Sequence, residues 1–140
     1  MLTRQAKAVW EGNLANGTGN FEVGSGKVSG SYSVPTRFGE EKGTNPEELI
    51  GAAHAACYSM ALSGKLTAAG FPPTRIETSA HVHMEKLEAG WRIVKIDLAT
   101  SAQVPNIDND TFQNLAEQTK DTCPISAALS PTIALKAQLV

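Results

Sequence analysis

Two cysteines are the sulfur nucleophiles of this 140-residue sequence, and they sit in opposite local settings. Cys57 ends the stretch "GTNPEELIGAAHAAC", the opening of a long apolar helix, where a thiol first reads as a small buried hydrophobe. Nucleophilic use needs a thiolate, hence a positive neighbour or a helix end, and mid-helix placement gives no dipole help. His54, one turn before Cys57, could touch the sulfur; a core or interface histidine hydrogen-bonded elsewhere is the preferred reading. Cys123 opens "CPIS", at the N-cap of a short predicted helix with Pro124 at its first position. Free backbone N–H groups there favour a thiolate, so local physics makes Cys123 the more acidic thiol. Its plain alternative is a capping residue before proline.

Other constellations carry less. His81 and His83 alternate on one predicted strand face with Glu85 beyond, a spacing for two strand ligands. With no third ligand cluster, a polar solvent face opposite Val82 and Met84 is the better reading. There is no C-x-x-C, no P-loop, no dinucleotide spacing in "GSGKVSG" and no G-x-S-x-G.

The elements that must position these residues follow from pattern. Short alternating stretches at Ala6–Glu11, Gly19–Val23 and Lys27–Val34, separated by Asn16-Gly17 and Gly24-Ser25-Gly26, predict an antiparallel meander. "VPTRFGEEKG" reads as a polar loop carrying Arg37. Asn45 as N-cap, Pro46 at the first position and Glu48 closing a capping box then start a helix. It runs to about Ala69, where Gly70, Pro72 and Pro73 stop it. Its interior is apolar on nearly every side, so it must be surrounded, and so short a chain can hardly cover it. A homodimer burying two such helices is the economical expectation. Ile76–Leu87 and Trp91–Ala102 predict a hairpin turning at Glu88-Ala89-Gly90. Asp110 reads as the N-cap of a helix to about Lys120, and "TIALKAQLV" closes as a strand with Ile133, Leu135, Ala137 and Leu139 on one face. The order βββ, α, ββ, α, α, β is α+β, in one domain over residues 1–140.

A net charge of −2 with scattered basic residues gives no field for nucleic acid. The N-terminus lacks a secretory pattern, and the apolar run Leu49–Leu62 is too short to span a membrane. The expectation is a soluble, cytoplasmic protein, where widely spaced cysteines are free or redox-cycling.

"GTNPEELIGAAHAAC", preceded by "TRF", and "CPIS" before the last strand closely resemble the OsmC/Ohr family, the osmotically inducible and organic hydroperoxide resistance proteins. The likeness covers almost the whole chain, and "TRFGEEKGTNPEE" places it in the OsmC branch. The resemblance implies an intertwined homodimer with two interfacial sites, working as a thiol peroxidase with no metal, haem or flavin. It makes Cys57 the peroxidatic cysteine, Cys123 the resolving one, Arg37 the catalytic arginine and Glu47 its carboxylate partner, with an external dithiol as reductant. His54 falls where branches differ, which supports a packing role. Phe38, Tyr58 and Met60 are expected to line an apolar interface favouring organic hydroperoxides. The alternatives from other classes are a non-catalytic dimeric module binding a small apolar ligand, and a redox-sensing interaction protein.

One expectation tests this assignment physically. Ten helical residues rise about 15 Å, so on a straight helix Glu47 cannot share a small site with Cys57. Either the helix breaks near Gly51 or the carboxylate acts only at a distance; a break or tight kink between Ile50 and His54 is expected, and an uninterrupted straight helix would count against the four-residue site.

Overall fold

Alternation in the first third of the sequence produces three antiparallel strands, β1 (Ala6–Glu11), β2 (Thr18–Val23) and β3 (Ser29–Tyr32), in the order β1-β2-β3. The structure, a computed structural model, describes residues 1–140, and the chain forms two units, Met1–Leu49 and Ile50–Val140. The meander belongs to the first. Its turns use the expected residues: Asn13 Oδ1 accepts from the Asn16 N–H at 2.9 Å, and Gly26 takes a positive φ of 69° between β2 and β3.

The stretch read as a polar loop is partly helical. Val34–Phe38 forms α1, with Ser33 as N-cap and Thr36 closing a capping box. The Ser33 N–H donates to Thr36 Oγ1 at 2.8 Å, and the Thr36 N–H donates to Ser33 Oγ at 3.4 Å. A threonine takes the place that Glu or Gln usually fills, so the box is easily missed in sequence. Arg37 thus stands on a capped turn of helix.

Helix α2 spans Pro46–Ala68. Asn45 Oδ1 accepts from the Glu48 N–H at 2.8 Å, the N-cap bond the sequence implied. At the other end Gly70 takes φ 90°, while the Phe71 N–H donates to Leu66 O and the Gly70 N–H to Thr67 O, a Schellman closure. The expected break between Ile50 and His54 is absent: the helix is continuous through Gly51. Gly51 serves instead for close approach to the next sheet, since a Cβ there would meet Val82 Cγ2 at 3.4 Å and Ala80 Cβ at 3.7 Å.

In the second unit, β4 (Arg75–Leu87) and β5 (Gly90–Gln103) form the predicted hairpin, and β6 (Thr132–Leu139) lies parallel to β5. Helices α3 (Asn109–Thr122) and α4 (Pro124–Ala128) make the crossover that parallel pairing requires. The N-cap of α3 is Asp108, two residues before the one expected; it accepts from the Thr111 N–H, and Asp110 sits in the first turn. Both aspartates suit a helix start, and Asp108 wins because Thr111 gives it backbone and hydroxyl donors together.

The core of this unit gathers Tyr58, Leu62 and Leu66 of α2, Ile96, Leu98 and Ala102 of β5, Phe112 and Ala116 of α3, and Cys123. The buried residues of α2 are Gly51, His54, Tyr58, Leu62 and Leu66, a single stripe. The expectation of a helix buried on every side is therefore not met within one chain: Ala52, Ala53, Ala56, Met60 and Gly64 are exposed. Tyr58 is fully buried and donates its hydroxyl to Ala116 O at 3.0 Å, so it is a core residue rather than a pocket wall. Because Leu62 is fully enclosed, Leu62→Ala is expected to cost about 3 kcal/mol in urea unfolding, through lost burial and a cavity.

Candidate active site

The second unit brings both thiols together. Cys57, at the edge of the buried stripe of α2, and Cys123, between α3 and α4, place their sulfurs 3.0 Å apart in a shared hydrogen bond. Both are free thiols, Cys123 buried and Cys57 partly so. A disulfide is about 2.05 Å long, so closure needs about an ångström of movement.

Cys123 is positioned by proline chemistry. Pro124 disfavours helical backbone at the residue before it, and Cys123 adopts φ −59°, ψ 127°. It closes α3 with its N–H on Thr119 O at 2.9 Å and opens α4 with its carbonyl accepting from the Ala127 N–H at 2.9 Å. Burial raises the Cys123 thiol, but the bonds from Cys57, Ser126 and Ile125 outweigh it and the net shift is downward. Cys57 moves the other way: burial raises it first and the hydrogen bond with Cys123 adds, against one opposing bond from the Ile125 N–H. The sequence-based ranking of Cys123 as the more acidic thiol therefore holds within this unit.

His54 makes no hydrogen bond to either sulfur. It is fully buried, with Nε2 2.7 Å from Ser126 Oγ. Ser126 escaped the sequence reading, although it occupies the third position of a helix capped by Cys123, where a polar side chain can reach back to its cap. His81, His83 and Glu85 point outward on β4; His83 Nε2 pairs with Asp97 Oδ2 at 2.7 Å, and Asp97 also bonds Lys95 at 2.7 Å. Direct pairing with Asp97 explains the placement of His83 without a metal.

The first unit holds the other two candidates. Arg37 donates from Nε to both Glu47 carboxylate oxygens at 3.2 Å and from Nη2 to Oε1 at 2.7 Å. This two-toothed geometry fixes the guanidinium plane. Glu47 is mostly shielded and Arg37 about one-third exposed, with side-chain exposures of 12% and 37%. Phe38 lies under the guanidinium, whose carbon is 5.1 Å from the ring centroid. Thr44 secures the connection between α1 and α2 by bonding Ser31 O of β3 with both its N–H and its hydroxyl.

A continuous capped helix, a parallel crossover and two apposed cysteines match a known architecture. The OsmC-like protein family model matches residues 39–138, and the chain belongs to this family, in its OsmC branch. It is 48% identical over 139 residues to the Peroxiredoxin OsmC of Escherichia coli K12, covering 99% of this chain and 97% of that protein. It is 25% identical to the uncharacterized protein YmaD of Bacillus subtilis, covering 93% of this chain and 88% of that one. The crystal structure of an organic hydroperoxide resistance protein OsmC from Legionella pneumophila has the same fold. Its TM-score is 0.74 at 23% identity, with 99% of this chain and 97% of that one covered. No helix is long and apolar enough to cross a membrane.

Burial gives His54 a pH signature. Its pKa is lowered from the ordinary 6.5 by desolvation, so below that pH the unfolded chain binds the proton that the folded chain refuses. Stability contributed by neutral His54 is present above pH 6.5 and is lost as pH falls from there toward the lower folded value. Thermal unfolding midpoints are expected to drop between about pH 7.5 and about pH 5.5, and His54→Gln is expected to flatten that slope.

Proposed function

We propose that this chain is a cysteine-based peroxidase that reduces organic hydroperoxides through Cys57 and Cys123, with Arg37 and Glu47 completing each site from a second copy. The observation that carries this reading is the pair of free sulfurs 3.0 Å apart. In the reaction, Cys57 thiolate attacks one peroxide oxygen, the O–O bond breaks, and the departing alkoxide takes a proton to become an alcohol. Cys57 is left as a sulfenic acid. Cys123 displaces its hydroxyl to form the disulfide, and an external dithiol restores both thiols by exchange.

Cys57 needs a positive charge for this, because burial and Cys123 both hold its proton on. Arg37 is the fitting source: Glu47 occupies the Nε and Nη2 edge of the fork and leaves Nη1 to face a thiolate or a developing oxyanion. The exposed stripe of Ala52, Ala53, Ala56, Met60 and Gly64 offers a second copy a flat, close-packing helix face. In this homodimer residues 1–140 act as one OsmC-like domain. Exposed Phe38 and Met60 supply apolar surface that favours organic peroxides over hydrogen peroxide.

Consumption of tert-butyl and cumene hydroperoxide with excess dithiol tests the reading. Cys57→Ser is expected to lower turnover by about a thousandfold or more, and Arg37→Ala by about a hundredfold. Mixing these two inactive variants after subunit exchange is expected to restore activity, because one site of each mixed dimer then has both residues. Failure to restore it, with exchange verified, would place Arg37 and Cys57 of one chain in one site. A parent protein that is inert with reduced thiols would move the assignment to a ligand-binding or redox-sensing module.

A further inference from the structure

The two cysteines differ in access. Cys123 has no exposed surface and sits in the core cluster with Tyr58, Phe112 and Ala116. Its N–H is tied to Thr119 O and its carbonyl to the Ala127 N–H, each at 2.9 Å, so it cannot swing outward without unmaking a helix end. Cys57 is only partly buried. Its neighbours one turn away on α2 include Ala53 and Met60, both exposed, so its open side lies between a small residue and an unbranched one. Cys123 covers one side of the Cys57 sulfur at 3.0 Å, and solvent reaches Cys57 only elsewhere. Substitution at sulfur runs in line, the entering group approaching opposite the group that leaves, and its rate depends on which sulfur is attacked and on access. When Cys123 closes the disulfide, the sulfenic hydroxyl leaves Cys57 from the side opposite Cys123. A thiol that expels Cys123 must enter from that same side. Attack on Cys123 would instead need an approach opposite Cys57, on a residue that no solvent touches.

We propose that the external dithiol reduces the disulfide by attacking Cys57 rather than Cys123, entering along the line by which the sulfenic oxygen left. The proposal rests on the peroxidase reading for its place in the cycle. One reductant thiolate attacks the Cys57 sulfur. A bond forms between reductant and Cys57, the Cys57–Cys123 bond breaks, and its electron pair goes to Cys123, which takes up a proton as a thiol. The second reductant thiolate then attacks the reductant sulfur of this mixed disulfide and releases Cys57 as thiolate. The dithiol ends as a disulfide, oxidised by two electrons, and both protein thiols are restored. Cys57 therefore carries both covalent intermediates, the sulfenic acid and the mixed disulfide, and one open side serves both. In the proposed dimer that side stays open because the peroxide needs it.

Diamide oxidation of the parent protein makes the disulfide without peroxide, so the test stands apart from peroxidase activity. Brief exposure to mercaptoethanol, a monothiol, is followed by a quench in denaturant with N-ethylmaleimide. The attacked sulfur then carries mercaptoethanol and the released one carries maleimide. Peptide mass spectrometry is expected to find mercaptoethanol on Cys57 in excess over Cys123 by about tenfold or more. Where too little mixed disulfide accumulates, the reduced single variants decide: dithiobis-nitrobenzoate is expected to label Cys57 in Cys123→Ser faster than Cys123 in Cys57→Ser, by about tenfold or more. Equal labelling, mercaptoethanol mainly on Cys123, or a protein that diamide cannot close would overturn the proposal. Selective exchange at Cys57 in a parent that consumes no peroxide would sink the peroxidase reading and leave the order of exchange standing.

Discussion

The hydrogen bond between two sulfurs 3.0 Å apart is the constraint around which the second unit is arranged. It demands that α2 carry Cys57 at the margin of its buried stripe and that α3 stop at Cys123. The stop comes from Pro124, which cannot continue the ladder and disfavours helical backbone at the residue before it. Cys123 is consequently the C-cap of one helix and the N-cap of the next, its N–H on Thr119 O and its carbonyl accepting from the Ala127 N–H. Tyr58 on α2 bonds Ala116 on α3 at 3.0 Å, and Gln113 on α3 bonds Ala137 on β6 at 2.9 Å. Those two cross-links hold α3 to its neighbours, and the contact between thiols inherits its precision from them.

Charge is what this arrangement lacks. Burial, the neighbouring sulfur and one backbone N–H act on Cys57, with no cation among them. The first unit holds the complementary object, a guanidinium immobilised by Glu47, stacked on Phe38 and carried on a helix turn that Ser33 and Thr36 cap. A flexible arginine would lose rotamer entropy on meeting a thiolate; one already clamped has lost it on folding. The pairing with Glu47 is therefore preorganisation, and the proposed dimer is the step that brings it to the sulfur.

Helix termini were legible in the sequence because their signals are local. Asn45, Pro46, Gly70 and Pro124 each act on the backbone within a turn, and the structure uses all of them as expected. The meander and hairpin were legible from alternation and turn residues. What escaped depended on partners distant in sequence or on substitutes within a motif. The parallel seating of β6 on β5 arises from the crossover through α3 and α4, which periodicity does not encode. Helix α1 was hidden because Thr36, not Glu or Gln, closes its box. Cys57 and Cys123 were each visible as candidates, but their pairing entered only through the family resemblance. Ser126 is not visible from sequence, since its buried partner His54 lies 72 residues away.

The misplaced break in α2 is the most informative error. It follows from requiring Glu47 and Cys57 of one helix to share one site, with Gly51 as the hinge. Gly51 proves instead to be a contact glycine, where a side chain would crowd Val82 and Ala80 of β4. The exposed side of the same helix bears on its composition. Alanines at 52, 53 and 56 and glycine at 64 have no partner within the chain that would require them to be small, yet all are exposed. Small residues on an exposed helix face permit close backbone approach, and a second copy of the chain would supply the missing cover with its α2 and the missing charge with its Arg37. The small exposed residues of α2 and the absence of a cation beside Cys57 thus favour the same assembly.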